Sequence, residues 1–348
     1  MIKKYFQKII LFILIITLSA CGSTNIMSLN VTEPAPIRLS KNITKIGIID
    51  RSLPNEDNKK IDEIDKILSL EGKNLDKDGA HQNVIGLYDE LQKNNLFSGV
   101  KIIENPIIKN PGMGIIPSPL SWEKIQEIAA INNVNCVFEL SFFDTDTSIN
   151  YTIVPIQIEA PFGLKIPALE HHAKVNTSVK SGWRIYDLTN KIIVDEFSTN
   201  NNLTSNGVGI NPLKAFEAIL NRKEAVLTMC NNDGHEYALR LLPFRIRVSR
   251  EYFVSGNENF ITARRRAQTG NWDGAAELWN IDTGNHNNKI AGRACYNMAI
   301  INEINGNLDS AIDWASKSYS DYNNKLALHY LNILKQRKVK NLLLIQTQ

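Results

Sequence analysis

Six histidines are scattered over 348 residues, and their densest grouping is Glu170-His171-His172. On an extended strand adjacent side chains point to opposite faces, so these two imidazoles cannot chelate one ion together. Asp144 and Asp146 in FFDTDTS could hold a hard cation. A calcium loop also needs its glycine and closing glutamate, and neither follows at the required offset. No P-loop, G-x-S-x-G elbow or dinucleotide fingerprint occurs in the chain. Cys136, Cys230 and Cys295 are odd in number and far apart, and two lie in the apolar runs NCVFELSF and RACYNMAI. Buried free thiols suit that pattern better than a zinc site or a disulfide framework, although one disulfide remains open. The expectation is a non-catalytic protein with no metal and no cofactor.

Cys21 differs from the other cysteines in its surroundings. Lys3, Lys4 and Lys8 precede a ten-residue apolar run from Ile9 to Leu18, and Leu18-Ser19-Ala20-Cys21 then turns small. The run is shorter than the ~17–25 residues a spanning helix needs, so it suits a cleaved signal. The four residues resemble a bacterial lipobox. That resemblance implies lipidation of the Cys21 thiol, cleavage after Ala20 and acylation of the new amine. Palmitate-like chains contribute ~0.8 kcal/mol per buried methylene, so several of them make a permanent anchor. Gly22 stands where an aspartate would favour the inner membrane, and no acidic run follows. Outer-membrane lipid, met from the periplasmic face, is the expected site. Without residues 1–20, basic and acidic side chains balance at 36 each. A neutral chain lacks the cationic surplus that drives nucleic-acid binding, so no nucleic-acid partner is expected.

The elements follow from periodicity. Residues 21–43 carry Pro34 and Pro36 among polar residues and read as a flexible tether. Lys45–Asp50 is the first strand, and KKIDEIDKILSLEG a short helix. Val84, Leu87, Tyr88 and Leu91 form one face of a longer helix. Gly99–Ile103 is a second strand, and Ser121 caps a helix that leads to a third strand at Val134–Phe143. Pro155, Pro161 and Pro167 suggest a loop over the sheet. Alternation from Val175 to Ile185 and the return KIIVDEF then make an antiparallel hairpin. Residues 211–242 are helical, and FRIRVSREYF is a last strand with a basic face.

This order of elements, from KIGIID to SGWRIYDLTNKIIVDEF after a lipoprotein signal, resembles the small α/β domain of periplasmic lipoproteins of the curli-secretion and TolB amino-terminal type. The whole chain is similar to a family of bacterial lipoproteins that end in tetratricopeptide-like helices. RRRAQTGNWDGAAELW and AIINEINGNLDSAIDW repeat one pattern: Gly270, Trp272 and Ala275 match Gly306, Leu308 and Ala311 at an offset of 36. Glycine takes the turn, a large apolar residue plugs the gap between helices, and alanine allows close approach. Lys325–Arg337 supplies a capping helix.

The expected class is α+β. The boundaries are a signal peptide at 1–20, the tether at 21–43, an α/β domain at 44–255, helical repeats at 256–338 and a tail at 339–348. Arg245, Arg247, Arg250, Arg264, Arg265 and Arg266 flank the junction and form a candidate anion-facing patch. The leading functional expectation is a membrane-anchored scaffold or adaptor that binds an envelope protein at the repeats. The alternative is an oligomeric secretion or envelope-assembly component in which Asn150–Val179 pairs into a barrel.

Overall fold

The computed structural model describes residues 23–52, 75–94, 96–104, 116–219 and 222–347. The segments KKIDEIDKILSLEG and Leu18-Ser19-Ala20-Cys21 lie outside them. The fold class is α+β, with a mixed sheet domain and a C-terminal helical region. The described residues divide into two compact units: one within 35–242, the other from 23–34 joined with 243–347. The strands are β1 (Thr24–Glu33), β2 (Lys45–Asp50), β3 (Gly99–Ile102), β4 (Cys136–Ala160), β5 (Leu164–Asp187), β6 (Ile192–Gly209) and β7 (Phe244–Phe253). Helices α1 (Leu75–Lys93), α2 (Trp122–Asn132), α3 (Pro212–Glu217) and α4 (Arg222–Leu239) belong to the first unit. Helices α5 (Glu258–Gln268), α6 (Trp272–Ile281), α7 (Asn288–Ile304), α8 (Leu308–Ser320) and α9 (Lys325–Thr347) belong to the second.

In the first unit the strand order is β3-β2-β4-β5-β6. β2 runs parallel to β3 and β4, and β4, β5 and β6 run antiparallel. β2 is a short β-branched run buried on both faces, as a strand between parallel neighbours must be. One sheet face packs Ile46, Ile48, Phe138, Leu140 and Trp183 against α1 and α4 through Leu87, Val226 and Tyr237. The opposite face packs Ile49, Val137 and Tyr186 against Ile125 and Ile128 of α2. Ser121 caps α2 by accepting from the Lys124 N–H, and Asn133 ends it in the left-handed region at φ 52°.

Helices α1 and α4 touch through a reciprocal Asn-x-x-Gly pair. A Cβ added to Gly86 would lie 1.9 Å from the Asn231 carbonyl oxygen, and one added to Gly234 would lie 1.8 Å from that of Asn83. Each glycine thus lets the partner helix's backbone reach van der Waals contact.

The proline-spotted stretch is strand, not loop. β4 and β5 stay in register from Asn150↔Lys174 through Pro155↔Leu169 and Gln157↔Pro167 to Ala160↔Leu164. β6 stops at Gly209, opposite His171, so the last third of the hairpin is a two-stranded ribbon. Its turn takes Phe162 to φ 70° and Gly163 to φ 77°. An antiparallel ladder alternates pairs whose N–H groups point inward with pairs whose N–H groups point outward. Pro155 and Pro167 sit in pairs two apart, hence of one kind. Their missing donors fall on the ribbon's outer edges, where proline is tolerated.

The second unit corrects three expected boundaries. Residues 24–33, expected as tether, are β1, paired residue for residue with β7 from Thr24↔Phe253 to Glu33↔Phe244. An extended segment with a complementary alternating partner satisfies its backbone groups by pairing. β7 accordingly groups with the helices rather than with the α/β domain. Residues 339–347, expected as a tail, continue α9.

Gly86→Ala and Gly234→Ala are each expected to lower stability by about 3 kcal/mol or more through overpacking, read as a fall in the urea midpoint. Gly284→Ala, where an added Cβ meets nothing within 4 Å, should leave the midpoint unchanged.

Candidate functional site

The helical unit repeats its turn as the spacing predicts. Gly270 and Gly306 hold φ 81° and 79°. Asn271 N–H donates to Arg266 and Asn307 N–H to Asn302, at 2.9 and 2.8 Å, which closes both helices the same way. Ala275 and Ala311 are fully buried, and Trp272 and Leu308 pack into the same core. The result is two helical hairpins, α5–α6 and α7–α8, followed by α9.

One face of α7 carries the chain's own strand β7. Buried Asn297 of α7 accepts from the Phe253 N–H at 2.8 Å and donates to the Phe253 carbonyl at 2.7 Å. Tyr252 packs edge-on against Trp272 and Trp279, and Phe253 against Tyr296. Glu303 of α7 is buried and receives the Arg250 guanidinium through two bonds of 2.8 and 2.9 Å. It also accepts from the Tyr330 hydroxyl at 2.6 Å and from Arg337, both on α9. Burial opposes the Glu303 charge, yet these donors outweigh it and hold the carboxyl below its ordinary range. Sequence patterning does not reveal this cluster; its one signal is an acid at a position of α7 otherwise apolar.

The six arginines do not form one patch. Arg250 turns inward to Glu303, and Arg266 donates to the Gly274 carbonyl and to Glu277. Arg265 contacts Thr262, and Arg264 stands exposed on α5. Arg245 and Arg247 alternate outward on β7 beside Asn30 and Thr32 of β1. Strand periodicity separates the two outward arginines from Arg250, which sits at an inward position.

The first unit buries a second charged cluster, again unannounced by spacing. Glu139 sits in the apolar run of β4 and is fully buried. It accepts from Arg51 at 2.9 Å, Arg184 at 3.2 Å and the Tyr186 hydroxyl at 2.8 Å. Arg51 and Arg184 also donate to the carbonyls of Ser118 and Pro117, and Tyr186 accepts from the Leu120 N–H. The cluster therefore fixes the backbone that enters α2. Burial and the neighbouring Glu139 push the Tyr186 hydroxyl up to about 12. On the other sheet face Asp233 is saturated by Asn83, Ser181, Thr199 and Asn201.

His171 and His172 point to opposite faces, His171 to Tyr151 and His172 to Glu170 at 2.7 Å. Among the described residues no three metal-ligating side chains come together. Cys136, Cys230 and Cys295 are buried free thiols; burial raises all three, Cys230 to about 12 and Cys295 to about 11. Among the described residues no helix is long and apolar enough to cross a membrane.

The family model described as Domain of unknown function (DUF8603) matches residues 43–253. The chain belongs to that family. A second model, Domain of unknown function (DUF6340), matches residues 261–336, the helical hairpins and the start of α9. No curated protein matches the chain. Among solved structures it is similar to a PelC dodecamer from Paraburkholderia phytofirmans, at 11% identity and TM-score 0.23, covering 63% of this chain and 98% of that one. It is also similar to a neuraminyllactose-binding hemagglutinin homolog from Helicobacter pylori, at 11% identity and TM-score 0.23, covering 60% and 92%. Likeness at that level assigns neither fold nor assembly.

Asn297→Ala leaves two buried backbone groups of Phe253 unpaired, each costing about 1–3 kcal/mol. Amide exchange at Phe253 should rise steeply while exchange in β2 stays unchanged. Because the Glu303 carboxyl is held low in the folded state, its stabilisation is complete above the ordinary 4.5 and is lost as pH falls through the lowered value. Acid unfolding of the native helical unit should show this loss, and Glu303→Gln should remove it.

Proposed function

We propose that this chain is a non-catalytic lipoprotein of the bacterial envelope, anchored through acylated Cys21 in outer-membrane lipid on the periplasmic face, and that it serves as a scaffold or adaptor for another envelope protein. The observation that supports the reading is strand pairing that begins three residues after Cys21. The Ser23 carbonyl accepts from the Val254 N–H at 3.0 Å, and β1 is zipped to β7 from Thr24 onward. Asn297 grips the strand at Phe253, the residue opposite Thr24. An anchor two residues before Ser23 would therefore hold the tetratricopeptide-like unit directly at the leaflet, with no tether to let it wander. Since β7 covers Asn297 and Glu303, the partner surface lies on the parts of α5–α9 that this strand leaves open. Metabolic labelling with a fatty acid should mark the native chain and not Cys21→Ser; equal labelling of both, or of neither, removes the anchor. Crosslinking in intact cells should recover one specific envelope partner that Cys21→Ser loses.

A second reading, an oligomeric secretion or envelope-assembly component, gains from one observation: Asn150–Val179 is paired strand on both sides of its turn at Pro161–Gly163. A barrel would require these ribbons to join edge to edge. The edges carry Pro155 and Pro167, which withhold donors, so the first reading is preferred. Mass measurement in mild detergent separates them, a monomer supporting the first and a large ring the second.

A further inference from the structure

The free end of the β4–β5 ribbon changes chemistry abruptly along one face. Cross-strand partners share a face, and this face reads Ser148↔Asn176, Asn150↔Lys174 and Thr152↔His172 along the shaft. β6 extends the same polar surface with Asn202, Thr204 and Asn206. Beyond Val154 the face becomes apolar: Ile156↔Ala168, Ile158↔Ile166 and then Leu164. Ile158, Leu164 and Ile166 are each about half exposed, and Phe162 at the apex is 102% exposed. The opposite face at the same depth carries Pro155↔Leu169 and Gln157↔Pro167, with Leu169 57% exposed, and becomes charged at Glu159 directly across from Lys165. Nearer the sheet that opposite face is covered by α3, whose Phe216 stacks on Tyr151. At the tip itself, past Gln157↔Pro167, the apolar residues therefore lie on one face and the charged pair on the other.

Three occupants are conceivable, and physical size decides among them. Strand addition along the edges is blunted by Pro155 and Pro167. Two tips packed face to face would share a surface about 10 Å wide and about 20 Å long. That buries roughly 400 Å² in total, against the ~1,200–2,000 Å² of a stable protein interface. A lipid leaflet sets no minimum area and accepts a flat apolar face whose polar edges stay at water level. An aromatic ring at the apex and a polar shaft behind it match that boundary. A single ribbon does not span the bilayer, because its unpaired edges would enter hydrocarbon without partners.

We propose that the ribbon tip, from Val154 to Ala168, is a membrane-contact element that lays its apolar face into the interfacial layer of a lipid leaflet. The proposal rests on the reading that the chain works at a membrane, and it adds a contact separate from Cys21. The test uses the full chain as native protein and as Cys21→Ser, mixed with vesicles of phosphatidylethanolamine and phosphatidylglycerol. Phe162→Cys and Thr152→Cys are each labelled with an environment-sensitive thiol dye; the buried Cys136, Cys230 and Cys295 stay unlabelled.

With vesicles, the dye at position 162 should shift to the blue and be quenched by lipids spin-labelled on their acyl chains, and the dye at 152 should do neither. Ile158→Asp with Ile166→Asp should weaken vesicle partitioning of the Cys21→Ser chain on the order of tenfold or more, with unchanged urea midpoint because both side chains are exposed. A water-like dye at 162 on vesicle-bound native protein overturns the proposal. So does a dye at 162 that is shielded without vesicles, which assigns the tip to a second copy. Fatty-acid labelling scores the anchor independently, so quenching at 162 in a chain that takes no fatty acid keeps the tip and discards the anchor.

Discussion

Extended backbone away from water must find a partner for every N–H and C=O, and this requirement organises both ends of the molecule. The segment behind Cys21 is polar enough to stay free, yet alternation in β1 and β7 is complementary, and pairing the two strands satisfies both. Where the pair ends, the side-chain amide of Asn297 supplies what a third strand would have supplied to Phe253. The helices are thus built around a strand as well as around each other. Removing the strand would take from Glu303 one of its two guanidinium partners, Arg250 on β7.

The same requirement shapes the long hairpin by a different route. Its tip has no third strand, so its outward N–H groups face solvent, and at Pro155 and Pro167 donors are missing altogether. Proline inside a central strand would break the ladder; on these edges it does the opposite service of discouraging further strands. The ribbon can therefore project with an apolar face and still resist edgewise aggregation.

Buried charge does structural work in both units. Glu139 gathers Arg51, Arg184 and Tyr186 and fixes the loop into α2, while Glu303 gathers Arg250, Tyr330 and Arg337 and fixes a strand to two helices. Loss of Glu139 would leave buried Arg51 without its carboxylate, and loss of Glu303 would do the same to Arg250, a larger penalty than the net gain from an intact ion cluster. Such clusters are poor evidence of catalysis here, because each donor in them is aimed at backbone or carboxylate that the fold itself needs to hold.

Local chemistry was legible in the chain. β-branched runs announced β2, an i, i+3, i+7 face announced α1, Ser121 announced the start of α2, and the glycines at 270 and 306 announced two equivalent turns. These depend on neighbours within a few residues, which a sequence displays directly. The six-arginine patch and the proline loop failed because both turn on partners ten or more residues away: Glu303 for Arg250, and the opposing strand for Pro155 and Pro167. The pairing of β1 with β7 joins residues more than 200 positions apart, and only the folded chain decides which of several alternating segments meet. The sequence by itself determined the short-range pieces, β2, the start of α2 and the equivalent turns at Gly270 and Gly306, because each is set by residues close along the chain. Tertiary structure decided which polar groups are buried together and which apolar face is left bare, because burial is a property of neighbours in space.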